Sequence, residues 1–289
     1  MLTTTEILKR VRRIEIKTKG LSNHIFAGAY HSAFKGRGMS FSEVREYSYG
    51  DDIKAIDWNV TARFSSPYVK IFEEERELTV MVLIDISASS IFGSSQRNKR
   101  ELITELCAVL AFSANTNNDK VGVILFSDKV ELFIPPQKGK SHILRIIREL
   151  VTFEPRKISG TKVKTALEFL NQTIKKRCVA FLISDLVSEP YDSALQISAR
   201  KHDLVGIQVY DAMDRVLPKV GLIQLFDAET QSLKWVDTNS KKLRQDYTNS
   251  FDTHGLYAEQ TFLKSGAALM KVRTDEDYVK LLQGLFNKR

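Results

Sequence analysis

The sequence predicts an α/β fold, a doubly wound and mostly parallel sheet carrying an N-terminal extension. Three observations predict it. From residue 78 onward, short β-rich apolar runs alternate with longer stretches of helical period. Several runs are nearly continuous in apolar residues, as strands covered on both faces require. Each run ends in polar residues where the chain must turn.

Residues 1 to 77 form the extension. The first 40 hold Lys9, Arg10, Arg12, Arg13, Lys17, Lys19, Lys35 and Arg37 against Glu6 and Glu15, a net of +6 within a chain total of +8. Ile7, Val11 and Ile14 fall on one helical face, so the segment is expected to be a docked amphipathic helix with a solvated basic side. A basic helix could meet nucleic acid or an acidic membrane surface. Without aromatic interleaving or a reader motif, nucleic-acid binding is not expected. Further on, Gly50-Asp51-Asp52 is a turn signal and Tyr68 to Phe72 alternates as a strand. Asp57, Trp58 and Arg63 place a carboxylate, an indole donor and a five-donor fork within seven residues. That group suits an internal Asp–Arg network pinning the extension to the body, with a direct recognition surface as the alternative.

Residues 78 to 289 form the α/β domain. Its predicted strands are 78 to 85, 121 to 127, 130 to 134, 178 to 185, 203 to 210 and 268 to 274. Between them, Leu102, Ile103, Leu106, Val109 and Leu110 mark one helix, Ile143 to Leu150 a second, and Val163, Ala166, Leu167 and Leu170 a third. Residues 211 to 240 break the alternation: GLIQLFD and SLKWVDT flank AETQ as a hairpin inserted before the last helical region. The final helix starts after Thr274, a suitable N-cap with Asp277 at the third position.

Composition bounds the function. With 43% hydrophobic and 27% charged residues, 14 Gly and 6 Pro, the chain is an ordinary globular protein. Cys107 and Cys178 lie far apart in apolar surroundings, so neither a disulfide scaffold nor a structural zinc site is indicated. No run approaches the roughly 20 apolar residues that span a bilayer. The first residues carry charge where a signal peptide needs its apolar region, so the expected location is cytoplasmic.

The chemistry is concentrated where the first strand of the domain ends in Asp85-x-Ser87-x-Ser89. Alternation is expected to aim all three the same way, at the carboxyl edge where open α/β sheets bind ligands. A carboxylate with hydroxyls suits a hard divalent cation, Mg²⁺ or Mn²⁺. Ser159-Gly160-Thr161 opens a later helix, and Asp185 ends the strand CVAFLISD as Asp85 ends its own. Three separate termini thus present oxygen ligands to one edge, the alternative being that Thr161 is a plain N-cap and Asp185 a plain turn residue.

In that order, Asp85-x-Ser87-x-Ser89, Thr161 and Asp185 resemble the metal-ion-dependent adhesion site of von Willebrand factor A domains, over roughly residues 78 to 210. The resemblance implies a metal set of Asp85, Ser87, Ser89, Thr161 and Asp185. The serines would ligate directly, the threonine directly or through water, and the aspartates largely through water. The sixth position would be left for an acidic side chain of a partner. Ser90 stands where many relatives have methionine, a departure that touches packing. The segment from Gly36 to Glu77 is similar to the signature of the bacterial domain of unknown function 58 family, on Arg45, Tyr47, Gly50, Asp51, Asp52, Ile56, Asp57, Trp58, Ala62 and Arg63. DAETQSLKWVDTNSKKLRQDY and TDEDYVKLL resemble it too. Members often accompany MoxR-type AAA+ ATPases, which implies an accessory or adaptor role in protein assembly or activation.

Other chemistries find little support. Gly139-Lys140-Ser141 has Ile134 where a phosphate loop needs glycine, and Pro135-Pro136 remove amide donors. An aspartyl-nucleophile phosphatase needs a second aspartate as acid and base, where this chain has Ser87. Histidines 24, 31, 142, 202 and 254 form no zinc-binding pattern. The expectation is a non-enzymatic, metal-dependent protein-binding module. The competing readings are a divalent-metal phosphoester hydrolase and a nucleic-acid-associated protein acting through the basic helix.

Overall fold

The computed structural model describes residues 4–21, 39–64, 66–74, 77–94, 97–153, 160–227 and 232–288. These fall into two compact units, one holding the N-terminal helix and everything from Thr79 onward, the other the stretch from Met39 to Leu78.

The N-terminal helix α1 (Thr4–Leu21) belongs to the α/β body and lies along two of its helices. Val11 is buried and Ile14 half-buried, while the side chain of Ile7 lies outside the described residues. Part of the basic face is already engaged, for Lys17 pairs with Glu105 at 2.7 Å. The sequence reading kept residues 1 to 77 together. The structure parts them, because α1 has an apolar stripe to bury on the body while the second unit closes on itself.

That second unit is an antiparallel pair, β1 (Met39–Glu46) and β2 (Tyr68–Glu74), with a register irregularity between Phe41 and Glu43. Its connection is tied by two aspartates. Asp57 caps the short helix Trp58–Thr61, accepting from the amides of Asn59 at 3.0 Å and Val60 at 3.2 Å. Asp51 takes a two-pronged bond from Arg45 at 2.7 and 2.8 Å, which holds its carboxyl below the ordinary range. The Asp–Arg network read from the sequence therefore runs from Arg45 to Asp51 within this unit, and Arg63 is exposed.

The body is a six-stranded sheet of β3 (Thr79–Asp85), β4 (Lys120–Phe126), β5 (Val130–Gln137), β6 (Val179–Ser184), β7 (Asp203–Tyr210) and β10 (Ala268–Arg273), in the order β10-β7-β6-β3-β4-β5. All neighbours are parallel except β5, which the two-strand turn after β4 makes antiparallel. Pro135 and Pro136 sit in β5, where an edge strand tolerates lost amide donors. From β3 the chain runs outward through β4 and β5, then returns to β6 on the other side of β3. The switch point is thus the crevice between the carboxyl ends of β3 and β6.

Helices cover both faces. On one, α4 (Val163–Thr173), α5 (Asp192–Lys201) and α6 (Lys241–Lys264) enclose Met81, Leu83, Ile124, Ala180 and Leu182. On the other lies α2 (Lys99–Thr116), with Leu102, Ile103, Leu106 and Leu110 fully or almost fully buried, beside α3 (Lys140–Thr152) and α1. Gly206, in the middle of β7, lets α6 approach: a Cβ there would stand 2.4 Å from the Phe262 ring. Gly206→Ala is expected to lower stability by about 1–3 kcal/mol through overpacking, a loss that a urea melt with an unchanged m-value would register.

Between β7 and α6, β8 (Leu222–Asp227) and β9 (Ser232–Asp237) pair as the inserted hairpin, with the AETQ turn outside the described residues. The last helix, α7 (Tyr278–Asn287), is capped by Asp277, whose carboxylate takes the amide of Val279. The cap expected at Thr274 lies elsewhere, for the Thr274 hydroxyl is committed to Asp211. No described helix is long and apolar enough to cross a membrane.

Candidate functional site

The carboxyl ends of β3 and β6 place Asp85 and Asp185 on either side of the switch point. Asp85 is almost fully buried. Its Oδ1 accepts the amide of Ser87 at 2.9 Å, and its Oδ2 accepts the hydroxyls of Ser184 at 2.7 Å and Thr161 at 3.3 Å. Burial, and then the charge of Asp185, push its pKa up to about 6 against the pull of these bonds.

Ser87 and Ser89 reach the same place, though not by strand alternation. The strand stops at Asp85, and the 3₁₀ turn Ala88–Ile91 curls back, closed by Ser90 donating to the Ser87 carbonyl at 2.7 Å. The turn brings the Ser87 and Ser89 hydroxyls to 3.0 Å, and Ser89 donates to Asp185 Oδ2 at 2.8 Å. Thr161 does not cap α4 either. It is buried on Asp85, and the helix starts two residues later. Ser159 lies outside the described residues. Asp85, Ser87, Ser89, Thr161 and Asp185 are therefore one connected oxygen cluster drawn from three loops.

Several neighbours were invisible to motif reasoning. Ser188 donates to the Thr161 carbonyl at 3.0 Å and takes the amide of Val163 at 3.2 Å, locking the Thr161 and Asp185 loops together. Leu186, buried just after Asp185, holds φ of 60°, a left-handed conformation that costs a branched residue energy and clusters at functional sites. Most consequential are two cations at the start of α2. Lys99 is buried, with Nζ 3.0 Å from Asp214 Oδ2 and 3.6 Å from Asp185 Oδ2. Burial disfavours its charge, but Asp185 and Asp214 together hold its pKa above the ordinary lysine value. Arg100 reaches Ser90 Oγ at 3.4 Å and the Phe153 carbonyl at 3.1 Å. Burial brings its pKa down to about 10 against the attraction of Asp85. A signal existed: cations in the first turn oppose the helix dipole and need nearby carboxylates.

Next along the edge, Asp211 follows β7, fully buried, and ties three elements together. It accepts the Thr274 hydroxyl at 2.6 Å, the amides of Met213 at 2.9 Å and Ser94 at 3.0 Å, and the Ser94 hydroxyl. The short helix Ala212–Arg215 that it caps carries Asp214 to Lys99.

The oxygen cluster suits a hard cation by the chemistry of its donors: two carboxylates, three hydroxyls, no soft atom. Among the described residues no group of three or more His, Cys, Asp or Glu is placed to hold a metal ion. One thiol–imidazole pair is present, Cys178 Sγ at 3.2 Å from His202 Nδ1, but it sits at the opposite, amino edge of the sheet. Burial pushes the thiol up to about 12 and brings the imidazole down to about 4, so the pair is neutral and unlike a reactive thiolate.

The strand order, the antiparallel edge and the switch-point cluster make a von Willebrand factor A-like fold. A protein-family model described as "Protein of unknown function DUF58" matches residues 43–256. An uncharacterized protein of Mycobacterium tuberculosis is 28% identical over 272 residues, covering 93% of this chain and 85% of that protein. The uncharacterized protein YeaD of Bacillus subtilis is 28% identical over 109 residues, 38% of this chain and 25% of that one. Among solved structures, an aerotolerance-related membrane protein from Bacteroides fragilis gives a TM-score of 0.49 at 18% identity, covering 73% of this chain and 97% of that chain.

Proposed function

The chain belongs to the DUF58 family of proteins of unknown function, and from that premise we propose that it is a cytoplasmic, non-enzymatic protein-binding module that docks its partner through a divalent metal. Ser87 and Ser89 hold Mg²⁺ or Mn²⁺ together with Asp85, Thr161 and Asp185. Bound there, the ion offers a position for an acidic side chain of the partner. That partner is a MoxR-type AAA+ ATPase or its client, as the family resemblance implies.

One observation carries this reading: at the switch point the Ser87 amide and the Thr161 hydroxyl donate to Asp85, the Ser87 and Ser89 hydroxyls meet, and Ser89 donates to Asp185, so that three loops join in one hydrogen-bonded cluster. Charge supports it. Asp85, Asp185 and Asp214 face the buried Lys99 and the half-buried Arg100, so a divalent ion leaves the pocket with an excess of positive charge that an anionic side chain offsets. The cluster's described hydroxyls meet carboxylates and one another, with no imidazole or thiol among them, so the arrangement favours binding over hydrolysis.

Calorimetric titration tests the metal directly. Wild type is expected to take up one equivalent of Mn²⁺, and Ser89→Ala, which deletes one hydroxyl from a half-exposed turn, to bind at least about tenfold more weakly. Equal affinity in the two proteins would remove Ser89 from the ligand set and with it the reading.

A further inference from the structure

Lys99 is an unusual neighbour for a metal site. It is buried at the first turn of α2, where the helix dipole opposes a cation, with the ring of Phe92 5.8 Å from its Nζ. The Asp185 oxygen that it faces at 3.6 Å is the same Oδ2 that accepts the Ser89 hydroxyl. Its nearer anchor, Asp214 Oδ2 at 3.0 Å, is shared with the backbone amide of Asp211. The ammonium, a compact charge on a flexible stem with three donors, thus rests between one carboxylate of the cluster and one outside it.

Resting on the reading of the cluster as a metal site, we propose that Lys99 is a built-in cation that competes with the divalent ion for Asp185, so that metal alone binds weakly and metal with an acidic partner binds tightly. Three carboxylates (Asp85, Asp185, Asp214) face two cations (Lys99, Arg100), a local charge of −1. A divalent ion takes that to +1, with Lys99 as the like charge closest to Asp185. An acidic side chain brings it back to zero. Metal and partner therefore raise each other's affinity, by reciprocity of linked binding. The site answers to the coincidence of the two.

Mn²⁺ titration by calorimetry at fixed ionic strength tests this. Lys99→Met keeps the length and apolar body of the stem and removes the charge, and is expected to tighten Mn²⁺ binding about tenfold. Lys99→Arg should stay near wild type. The double variant Lys99→Met with Asp214→Asn leaves no unpaired Asp214 and has the same local charge as wild type, −1. If the ammonium competes at Asp185, the double variant also binds Mn²⁺ more tightly than wild type. If it matches wild type, net charge alone sets the affinity and the proposal is overturned. Unchanged or weaker binding in both Met variants, with Ser89→Ala still impaired, overturns the proposal and leaves the metal site standing. Failure of wild type and every variant to bind Mn²⁺ overturns the metal reading and this inference with it.

Discussion

Replacing Asp85 by Asn is expected to abolish Mg²⁺-dependent capture of a partner while raising the melting temperature of the metal-free protein. The two effects have one origin. Asp85 is a carboxylate taken almost wholly out of water and set near a second one, Asp185, so its ionised form is disfavoured and its pKa rises to about 6. The unfolded chain would hold that group at roughly 4. A folded pKa above the unfolded one means the native state binds the proton more tightly. Any stability associated with it is present below about pH 4 and lost as pH rises through about 6. At neutral pH the charge opposes folding, and an amide removes that opposition. Allowing for the lost attraction of Arg100, the gain is of order 1–2 kcal/mol, several degrees for a body of this size. The gain should shrink as pH falls from 7 toward 4.

The binding half is read by copurification from cytosol with wild type and Asp85→Asn, in Mg²⁺ and then in EDTA. Capture by wild type in Mg²⁺ alone is the expected result. Capture that survives both the substitution and EDTA would move the interface to another surface, and the second unit, with Trp58 and Tyr49 not enclosed by it, would be the next place to look.

The central strands were legible because burial on both faces leaves a continuous apolar run, and Asp85 and Asp185 stood out because strand ends punctuate such runs with polar side chains, whereas the grouping of these two with Ser87, Ser89 and Thr161 came from the resemblance to von Willebrand factor A domains. What could not be read was what depends on contacts between distant loops. Ser184 looks like one more residue of CVAFLISD, yet its hydroxyl is the shortest bond that Asp85 accepts from a side chain. Thr161 has the residue type and position of a cap, and it is claimed by Asp85 across 76 positions of sequence. Ser87 and Ser89 were expected to converge by alternation, and they converge through a 3₁₀ turn that the sequence pattern does not announce. The same holds in the second unit, where Asp51 and Asp57 could each have met Arg63 by spacing. The turn geometry gives Asp51 to Arg45, and Asp57 to two helix amides and to Lys70 at 3.4 Å. Short-range pattern fixes elements, and competition among several possible partners decides the pairings.

Asp211 is where that competition bears most on stability. Burial alone would raise its pKa, but the bonds from Ser94, Thr274 and the Met213 amide overcome it and bring the carboxyl down to about 2. A folded pKa below the unfolded value gives stability that is fully present above about pH 4 and disappears as pH falls through about 2. A shift of this size corresponds to roughly 2–3 kcal/mol. Asp211→Asn should therefore melt about 5–10 °C below wild type at pH 7. The deficit should narrow steadily on acidification, because wild type loses the same charge that the variant never had. Thermal melts at pH 7, 4 and 2.5 measure it, and a deficit independent of pH would mean that shape rather than charge is what the three elements need. The consequence reaches the oxygen cluster. Asp211 anchors Ser94, five residues past Ser89, and caps the short helix that holds Asp214 against Lys99. Weakening it loosens the ammonium's outer anchor, so Asp211→Asn should also alter Mn²⁺ affinity, and much less so once Lys99 is methionine.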